Sequence, residues 1–311
     1  MPETPAPGHV TASGRTVPAG AAASGAERAG YELAAARWPQ VAAQPRRLLV
    51  VPLGSLEQHG PHLPLDTDTR IAIAVARRAC AVVAGTADGP DGAPGPSGIG
   101  LAPPIPIGAS GEHAGFPGTL SIGHVALSTL LLELGRHASL HWPTMLIVNG
   151  HGGNVGAISD AAGKLRAEGR DCHVWHAGVR PAMLASAGLT LVPDAHAGRV
   201  ETSIMLALAP DHVLLGAAAP GDTRPLAEIL PDLREHGVGG VSANGVLGDP
   251  AGASAAEGEV LLRLLTADLA ATIAQLTALR LPPAHSRRLC LPPAHDHDRF
   301  AANVQPAGKQ S

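Results

Sequence analysis

The chain has 311 residues, of which 45% are apolar, 15% are charged and only 2% are aromatic, and its formal net charge is −4. This length allows one large domain or two small ones, and the acidic balance gives no basic footprint for a nucleic acid partner. No apolar run approaches the roughly 18 residues needed to span a membrane, and the first 25 residues lack the basic and apolar regions of a signal peptide.

Composition divides the chain into three parts. Residues 1–44 are expected to form a disordered or loosely helical extension, because the first 25 are rich in Ala, Gly, Pro and Ser. A short helix in this part is expected to end at Pro39. Residues 45–281 carry one continuous alternation of strand and helix patterns, which predicts a single domain. Residues 282–311 form a tail rich in Pro, His and Arg that is expected to be disordered.

Apolar runs that end at glycine or proline predict strands, and amphipathic runs predict helices between them. The predicted strands are 47–52, 145–148 and 172–175, and the predicted helices are 69–84, 124–141, 155–168, 201–208 and 253–279. A short edge or bulged strand is predicted to end at Gly108, since prolines before it forbid a central strand. Residues 214–240 are expected to be irregular. The alternation indicates a three-layer α/β/α sandwich with a mostly parallel central sheet.

The three cysteines, Cys80, Cys172 and Cys290, lie far apart in the sequence. They form neither a CxxC pair nor a disulfide framework. We therefore expect buried or incidental thiols in a reducing compartment, which favours a cytoplasmic protein.

The first predicted strand is followed by a loop with four potential metal ligands. They are Glu57, His59, Asp66 and Asp68. The carboxyl ends of strands are where open α/β sheets build their sites. Residues two apart in an extended segment project to the same side, so Glu57 and His59 can reach one point while Gln58 faces away. Either aspartate can cap the following helix, and Asp68 is free to bind a metal if Asp66 is the cap.

Two further strand-end loops carry candidate ligands. His151 lies in the segment NGHGGN, where neighbouring glycines let bulky groups approach it. An anion-binding nest is the competing interpretation, but the segment lacks the lysine of a P-loop. His196 and Glu201 lie in HAGRVE, with Glu201 in the first turn of a predicted helix. Together, three histidines and three carboxylates on equivalent loops suit a site for two metal ions.

Four segments resemble the creatininase family of metal-dependent amidohydrolases. The segments are LGSLEQHGPHLPLDTDT, GASGEHAGFPGTLSIG, IVNGHGGNVGA and DAHAGRVETSIMLAL. The resemblance spans residues 48–279, and it implies a creatininase-like fold with two divalent metal ions per subunit, Zn, Fe(II) or Mn. Within the family the chain looks most like the mycofactocin-system branch, whose members are peptidases in the maturation of a ribosomally made redox cofactor peptide.

The resemblance also implies roles for individual residues. The family's metal ligands match Glu57, His59, Asp68 and His151. Asp68 matches the ligand that bridges both ions, and His196 matches a catalytic histidine. Creatininases proper have a further ligand, a Glu two residues after the motif histidine. Gly153 stands there, so Glu201 is the candidate for that ligand. The tryptophan that closes over creatinine has no counterpart before His196, and these two departures argue against creatinine as the substrate.

The resemblance implies hydrolysis of a C–N amide bond in a modified peptide, with release of a C-terminal dipeptide. His196 would protonate the departing amine. His113, Glu112 and His62 are candidate substrate contacts, and a structural role is the alternative for each.

Two other functions remain open at the level of sequence. One is a small-molecule amidohydrolase that acts on a cyclic amide or a formamide, and the other is a catalytically inactive metal-binding scaffold. Family members are typically homo-oligomers, often hexamers, so a homo-oligomer is expected, although nothing in the sequence fixes the number of subunits. Neither a nucleic acid nor a membrane is expected as a partner.

Overall fold

The fold is built on a sheet of four parallel strands in the order β2-β1-β3-β4. The computed structural model describes residues 32–85, 98–191 and 194–278. The strands are β1 Leu48–Leu53, β2 Ile99–Leu101, β3 Thr144–Asn149 and β4 Asp171–His176. The bounds of β1, β3 and β4 lie within one residue of the predicted strands, and the predicted parallel sheet is confirmed.

Helices cover both faces of this sheet, so the three-layer architecture is confirmed. The helices of the described residues are α1 Trp38–Ala42, α2 Thr67–Gly85, α3 Gly123–Ala138, α4 Val155–Ala167, α5 Pro181–Ser186, α6 Arg199–Leu208, α7 Leu226–Val241 and α8 Ala255–Ala278. Side chains alternate along β1: Leu48 and Val50 pack with α2, α6 and α8, whereas Leu49 and Val51 pack with α3 and α4. Every residue of β1 and β3 is therefore buried, which explains their long apolar runs.

The register of the sheet brings three strand ends to one edge. Leu53 at the end of β1 pairs with Asn149 at the end of β3, and Asn149 pairs with His176 at the end of β4. The loops after β1 and β3, which carry candidate ligands, therefore leave the sheet side by side. This is the edge where parallel α/β sheets place their sites.

The edge strand β2 is shorter than predicted, because it ends at Leu101 and not at Gly108. Prolines follow it and supply no backbone donors, so one isolated bridge between Leu53 and Ile105 is all that continues the pairing there. On the other side of β2, the backbone N–H of Leu33 donates to the Leu101 carbonyl at 2.9 Å. The predicted domain boundary at residue 45 therefore leaves out a segment that is attached to the sheet.

The prediction that residues 214–240 are irregular is wrong, because they contain most of α7. Pro231 lies inside this helix and Gly237 breaks it with a φ of +67°, so the local pattern carries weak helical signals. Burial supplies what local propensity lacks: Ile229 and Val238 are 0% and 2% exposed and form a small separate core.

Pro39 lies at the start of a helix, whereas we expected it to end one. α1 starts at Trp38, which places Pro39 in its first turn. Proline is well tolerated there, because the N–H groups of a first turn have no partner within the helix.

Three predictions concern residues that lie outside those that the structure describes. These predictions are for the extension before residue 32, the tail over 282–311 and the thiol of Cys290. The other two cysteines, Cys80 and Cys172, are buried free thiols, as expected.

Among the described helices, α8 is long and apolar enough to cross a membrane by length and composition. In the fold it packs against α2 and α6, and Leu261, Leu265 and Leu269 have no exposed surface. We therefore interpret α8 as the central helix of one covering layer. Full burial of each leucine stabilises the fold by about 1.5–3 kcal/mol.

Two helical glycines provide a matched test of this packing. A Cβ on Gly258 of α8 would lie 1.9 Å from the carbonyl oxygen of Ser203 on α6, whereas a Cβ on Gly163 of α4 would meet nothing within 4 Å. Gly258→Ala should lower the free energy of unfolding by about 1–3 kcal/mol, because the helices must separate. Gly163→Ala should raise it by roughly 0.4–1 kcal/mol, because alanine has less freedom in the unfolded chain. Urea denaturation measures both, and effects of the same sign would contradict the packing.

Candidate metal centre

The residues predicted to bind metal converge at the carboxyl edge of the sheet. Two groups of three ligand atoms, each group with its atoms within 4.8 Å of one another, are Glu57, Asp68 and His151, and His59, Asp68 and Glu201. Asp68 belongs to both groups. A third group that meets the same distance consists of Glu57, His59 and His196. The structure thus brings together all six residues for which the sequence predicted a metal-binding or catalytic role.

The loop after β1 presents Glu57 and His59 to the same point, as expected from their spacing. The His59 Nδ1–H donates to the backbone carbonyl of Glu57 at 3.1 Å, and His59 Nε2 lies 3.0 Å from Asp68 Oδ1. A carbonyl can only accept, so this bond fixes the proton on Nδ1 and leaves Nε2 as the nitrogen that faces the centre. Glu57 and His59 are both 0% exposed.

The choice between Asp66 and Asp68 is clear from the start of α2. The helix begins at Thr67, so Asp66 takes the cap position, and its carboxylate accepts a 2.7 Å bond from Arg70 Nε. Asp68 lies in the first turn, is buried, and accepts a 2.6 Å bond from the Ser55 hydroxyl at Oδ2. The helix dipole favours a carboxylate at this position, and Asp68 points towards the other candidate ligands.

His151 lies between the two carboxylates of the first group and the loop before α3. Its Nδ1 is 3.0 Å from Glu57 Oε1 and 3.2 Å from Asp68 Oδ2. On the opposite side of the ring, Nε2 donates to the Ala109 carbonyl at 3.2 Å. The ring therefore presents its Nδ1 lone pair to the centre.

The two asparagines of the NGHGGN segment support the loops around His151. The Asn154 amide donates to the Gly54 carbonyl at 3.0 Å and to Asn149 Oδ1 at 3.1 Å, and its carbonyl oxygen accepts from the Ala109 N–H at 2.8 Å. Asn154 is fully buried. Its amide thus ties together the loops after β1, β2 and β3.

His196 and Glu201 are placed by the turn that starts α6. His196 pairs with Leu247 through two backbone hydrogen bonds of 2.9 and 3.1 Å. The next residue, Ala197, has a left-handed φ of +53° and is fully buried. Such a conformation costs of the order of 1 kcal/mol for an alanine. Its N–H donates to Glu201 Oε2 at 2.6 Å, so the strained turn holds Glu201 next to the centre.

Burial and neighbouring charges shift the pKa values in this cluster. Burial opposes a charge on His59, but the Asp68 carboxylate raises the pKa of His59 to about 10. Burial raises the pKa of Glu201 to about 7. Burial also acts to raise the pKa of Asp68, but the charge of His59 holds that pKa well below its usual range. Burial and the charge of His59 lower the pKa of His196 well below its usual value. A divalent ion therefore has to displace protons from His59 and Glu201 in order to bind.

Glu57 carries the clearest sign that a cation belongs in this centre. Neither of its carboxylate oxygens has a hydrogen-bond partner among the described residues. Nitrogens of His151, His113 and His196 approach Oε1 to 3.0, 3.3 and 3.9 Å. These distances are in the range of ion pairs, but the geometry is not that of hydrogen bonds. The histidines therefore do not replace the hydrogen bonds with water that Glu57 loses on burial. An ionised carboxylate at this depth needs a partner, and histidines and carboxylates together form a donor set that suits Zn, Mn or Fe(II).

Gln58 is a residue of this centre that we did not predict. Its side-chain amide donates to the Gly245 carbonyl at 3.0 Å and to His113 Nδ1 at 2.9 Å. The backbone carbonyl of Gln58 accepts a 2.8 Å bond from His196 Nε2–H. Gln58 thereby orients both His113 and His196. The sequence offered one signal, a polar residue between two ligands in a buried loop.

The three predicted substrate contacts lie in different surroundings. His62 is 1% exposed, bonds to Thr202 Oγ1 at 2.9 Å and is not among the residues that line the cleft over the centre. His113 also lines the cleft, although it is only 3% exposed, and its ring lies between Gln58 and Glu57. Glu112 lines the cleft, and its side chain is 32% exposed.

The cleft over the centre has a volume of about 990 Å³. Asp68, His151, His196 and Glu201 lie on its floor, and α7 forms one wall with Leu226, Leu230 and Leu233. These leucines follow a helical spacing and give the wall an apolar surface. None of the three tryptophans of the chain lines this cleft.

Comparison with known proteins gives this geometry a context. Residues 34–273 match the family model described as Creatininase, creatinine amidohydrolase. The mycofactocin precursor peptide peptidase of Mycolicibacterium smegmatis is 52% identical over 212 residues, which cover 68% of this chain and 78% of that protein. The peptidase of the same name from Mycobacterium ulcerans is 48% identical over 242 residues, or 77% and 86% of the two chains.

A solved structure described as "Creatininase Mn" has the same fold. It superposes with a TM-score of 0.62 and 26% identity, over 81% of this chain and 99% of that chain. The segment that matches the family model contains every residue of the candidate metal centre.

The Gln58 network predicts an effect on metal binding without any change in a ligand. Gln58→Leu keeps the volume but leaves the Gly245 carbonyl and His113 Nδ1 unpaired, so we expect metal affinity to fall by about 10- to 100-fold. Gln40→Leu, the same change on the surface helix α1, should leave affinity unchanged. Titration with Zn²⁺ against a chromophoric chelator measures both, and full affinity in Gln58→Leu would contradict the network.

Proposed function

The chain belongs to the creatininase family, and we propose that it hydrolyses an amide bond in a modified mycofactocin precursor peptide with two divalent metal ions in its centre. As a member of this family it is a metal-dependent hydrolase that acts on C–N bonds. The observation that carries the proposal is the pair of three-ligand groups that share Asp68. Names of relatives at 52% and 48% identity support the peptide substrate.

The residues present fit two ions. Glu57, Asp68 and His151 would hold one, and His59, Asp68 and Glu201 would hold the other. Glu201 supplies the carboxylate that Gly153 cannot. The unpartnered oxygens of Glu57 and the lone pairs of His59 Nε2 and His151 Nδ1 are directed into the centre. The donor set leaves Zn, Mn and Fe(II) as candidates.

When bound, the ions would polarise the amide carbonyl and lower the pKa of a water molecule towards ~7. His196 donates Nε2–H to the Gln58 carbonyl, so its Nδ1 is the nitrogen free to carry a proton. Because its pKa is lowered, His196 is neutral at neutral pH. It takes the proton that water loses as the oxygen bonds to the carbonyl carbon, and it gives that proton to the nitrogen as the C–N bond breaks.

The cleft supports a peptide rather than a compact substrate. At about 990 Å³ it lies at the upper end of typical ligand pockets, and the leucine wall of α7 offers apolar surface for side chains. We propose two products. One is the C-terminal dipeptide, which leaves as a small heterocyclic amine, and the other is the shortened peptide. The tryptophan that closes over creatinine has no counterpart at this cleft, which disfavours a creatinine-type substrate. A complete ligand set together with His196 disfavours an inactive scaffold.

We also propose where the protein acts and how it assembles. Its buried free thiols Cys80 and Cys172 support a cytoplasmic protein, and the family resemblance supports a homo-oligomer.

A mass-spectrometric assay tests this function directly. Purified protein, stripped of metal and reloaded with Fe(II), Zn or Mn, is incubated with the decarboxylated, cyclised precursor peptide, and with creatinine in parallel. We expect metal-dependent release of the C-terminal dipeptide and no turnover of creatinine. His196→Asn should retain its metal and lose about 10²- to 10⁴-fold in rate, whereas Asp68→Asn should lose both ions and all activity.

Two outcomes of that assay would contradict the proposal. Turnover of creatinine without turnover of the peptide would overturn the substrate. Release of the dipeptide by the metal-free protein, or by Asp68→Asn, would overturn the metal-dependent mechanism.

A further inference from the structure

Glu112 lies on the far side of His151 from the metal centre. It belongs to a short 3-10 helix, Gly111–His113, at the rim of the cleft. Its Oε1 is 3.2 Å from His151 Nε2, while His151 Nδ1 on the other side of the ring faces Glu57 and Asp68. The imidazole therefore lies between one carboxylate outside the centre and two inside it.

Gly153 determines whether this contact can exist. A Cβ built on Gly153 would lie 2.1 Å from Glu112 Oε1, 2.5 Å from the Ala109 carbonyl and 2.5 Å from His151 Nε2. No side chain at position 153 is compatible with these three groups in their present positions. The missing side chain leaves the space through which Glu112 reaches the ring.

We propose that Glu112 is a positioning residue for His151, and that Gly153 leaves it the room to act. This inference rests on the proposed metal site. The Ala109 carbonyl also accepts from Nε2 at 3.2 Å, and it suffices to fix the tautomer. A carboxylate adds a full negative charge, which makes the imidazole a stronger donor to a cation at Nδ1. Glu112 therefore acts on the metal through His151, without touching the metal itself.

The arrangement makes a specific prediction for metal binding. Glu112→Gln keeps the shape of the side chain but removes its charge, and the affinity of the ion held by Glu57, Asp68 and His151 should fall by about 10- to 100-fold. Gly153→Ala should produce at least as large a loss, because its Cβ displaces the Glu112 carboxylate and also meets His151 Nε2 and the Ala109 carbonyl. The double variant should lose little more than Gly153→Ala alone, because the contact between Glu112 and His151 is already broken there.

Matched controls separate this role from a general effect of charge or folding. Glu235 is an exposed glutamate that lines the same cleft on α7, and Glu235→Gln should leave metal affinity unchanged. Near-ultraviolet circular dichroism and thermal unfolding of the metal-free variants show whether each one is folded. Zn²⁺ affinities come from competition with a chromophoric chelator, and the visible spectrum of the Co²⁺-loaded protein should change in Glu112→Gln and not in Glu235→Gln.

Two results would overturn the inference. The first is unchanged Zn²⁺ affinity and an unchanged Co²⁺ spectrum in Glu112→Gln. The second is a rise in KM for the peptide with metal binding intact, which would make Glu112 a substrate contact. If the wild-type protein binds metal but hydrolyses no amide, the proposed function fails while the Glu112 result stands. If Glu112→Gln keeps both its metal affinity and its activity, this inference fails alone.

Discussion

Three carboxylates, those of Glu57, Asp68 and Glu201, are held close together inside this protein, and their need for positive charge determines much of the structure around them. Glu57 and Asp68 are 0% and 2% exposed. Ionised groups at this depth are strongly destabilising unless they are paired. In the absence of a cation, the Asp68 carboxylate raises the pKa of His59 to about 10 and burial raises the pKa of Glu201 to about 7. Protons on these two groups are a partial answer, because neither oxygen of Glu57 accepts a hydrogen bond from the described residues. Two divalent ions would satisfy all three carboxylates at once.

The fold places these three carboxylates at the carboxyl edge of the sheet. β1, β3 and β4 end in register, so loops that are distant in sequence become neighbours at the carboxyl edge. The start of α2 adds Asp68 in a first turn, where the helix dipole favours a carboxylate. Two buried apolar clusters, one on each face of the sheet, pack the strands against the helices. The strain of the left-handed Ala197 is one local cost of that placement.

Around the ligands, a second set of groups determines which atom of each ligand faces inwards. The Glu57 carbonyl orients His59, the Ser55 hydroxyl orients Asp68, and the Ala109 carbonyl orients His151. Gln58 does the same for His113 and His196. Loss of such an outer contact typically lowers metal affinity by about 10- to 100-fold. These contacts also explain why His113 and Gln58 are buried next to the centre.

The sequence predicted the strands and the inner ligands because both depend on local patterns. β1 and β3 are uninterrupted apolar runs, and Glu57 and His59 follow one of them at a spacing of two. It did not predict α7, since Pro231 and Gly237 interrupt its pattern and tertiary burial of Ile229 and Val238 holds the helix in place. It also missed Gln58 and left the role of His62 open, because contacts such as those of Gln58 with Gly245, 187 residues away, depend on packing that no local pattern encodes.

Diffraction from crystals of the metal-loaded protein, collected at the absorption edge of the metal, tests directly whether two ions share Asp68. Two anomalous peaks are expected, one on each side of Asp68. One peak should lie between Glu57 and His151, and the other between His59 and Glu201. A single peak, or a second peak without Glu201 among its neighbours, would contradict this assignment.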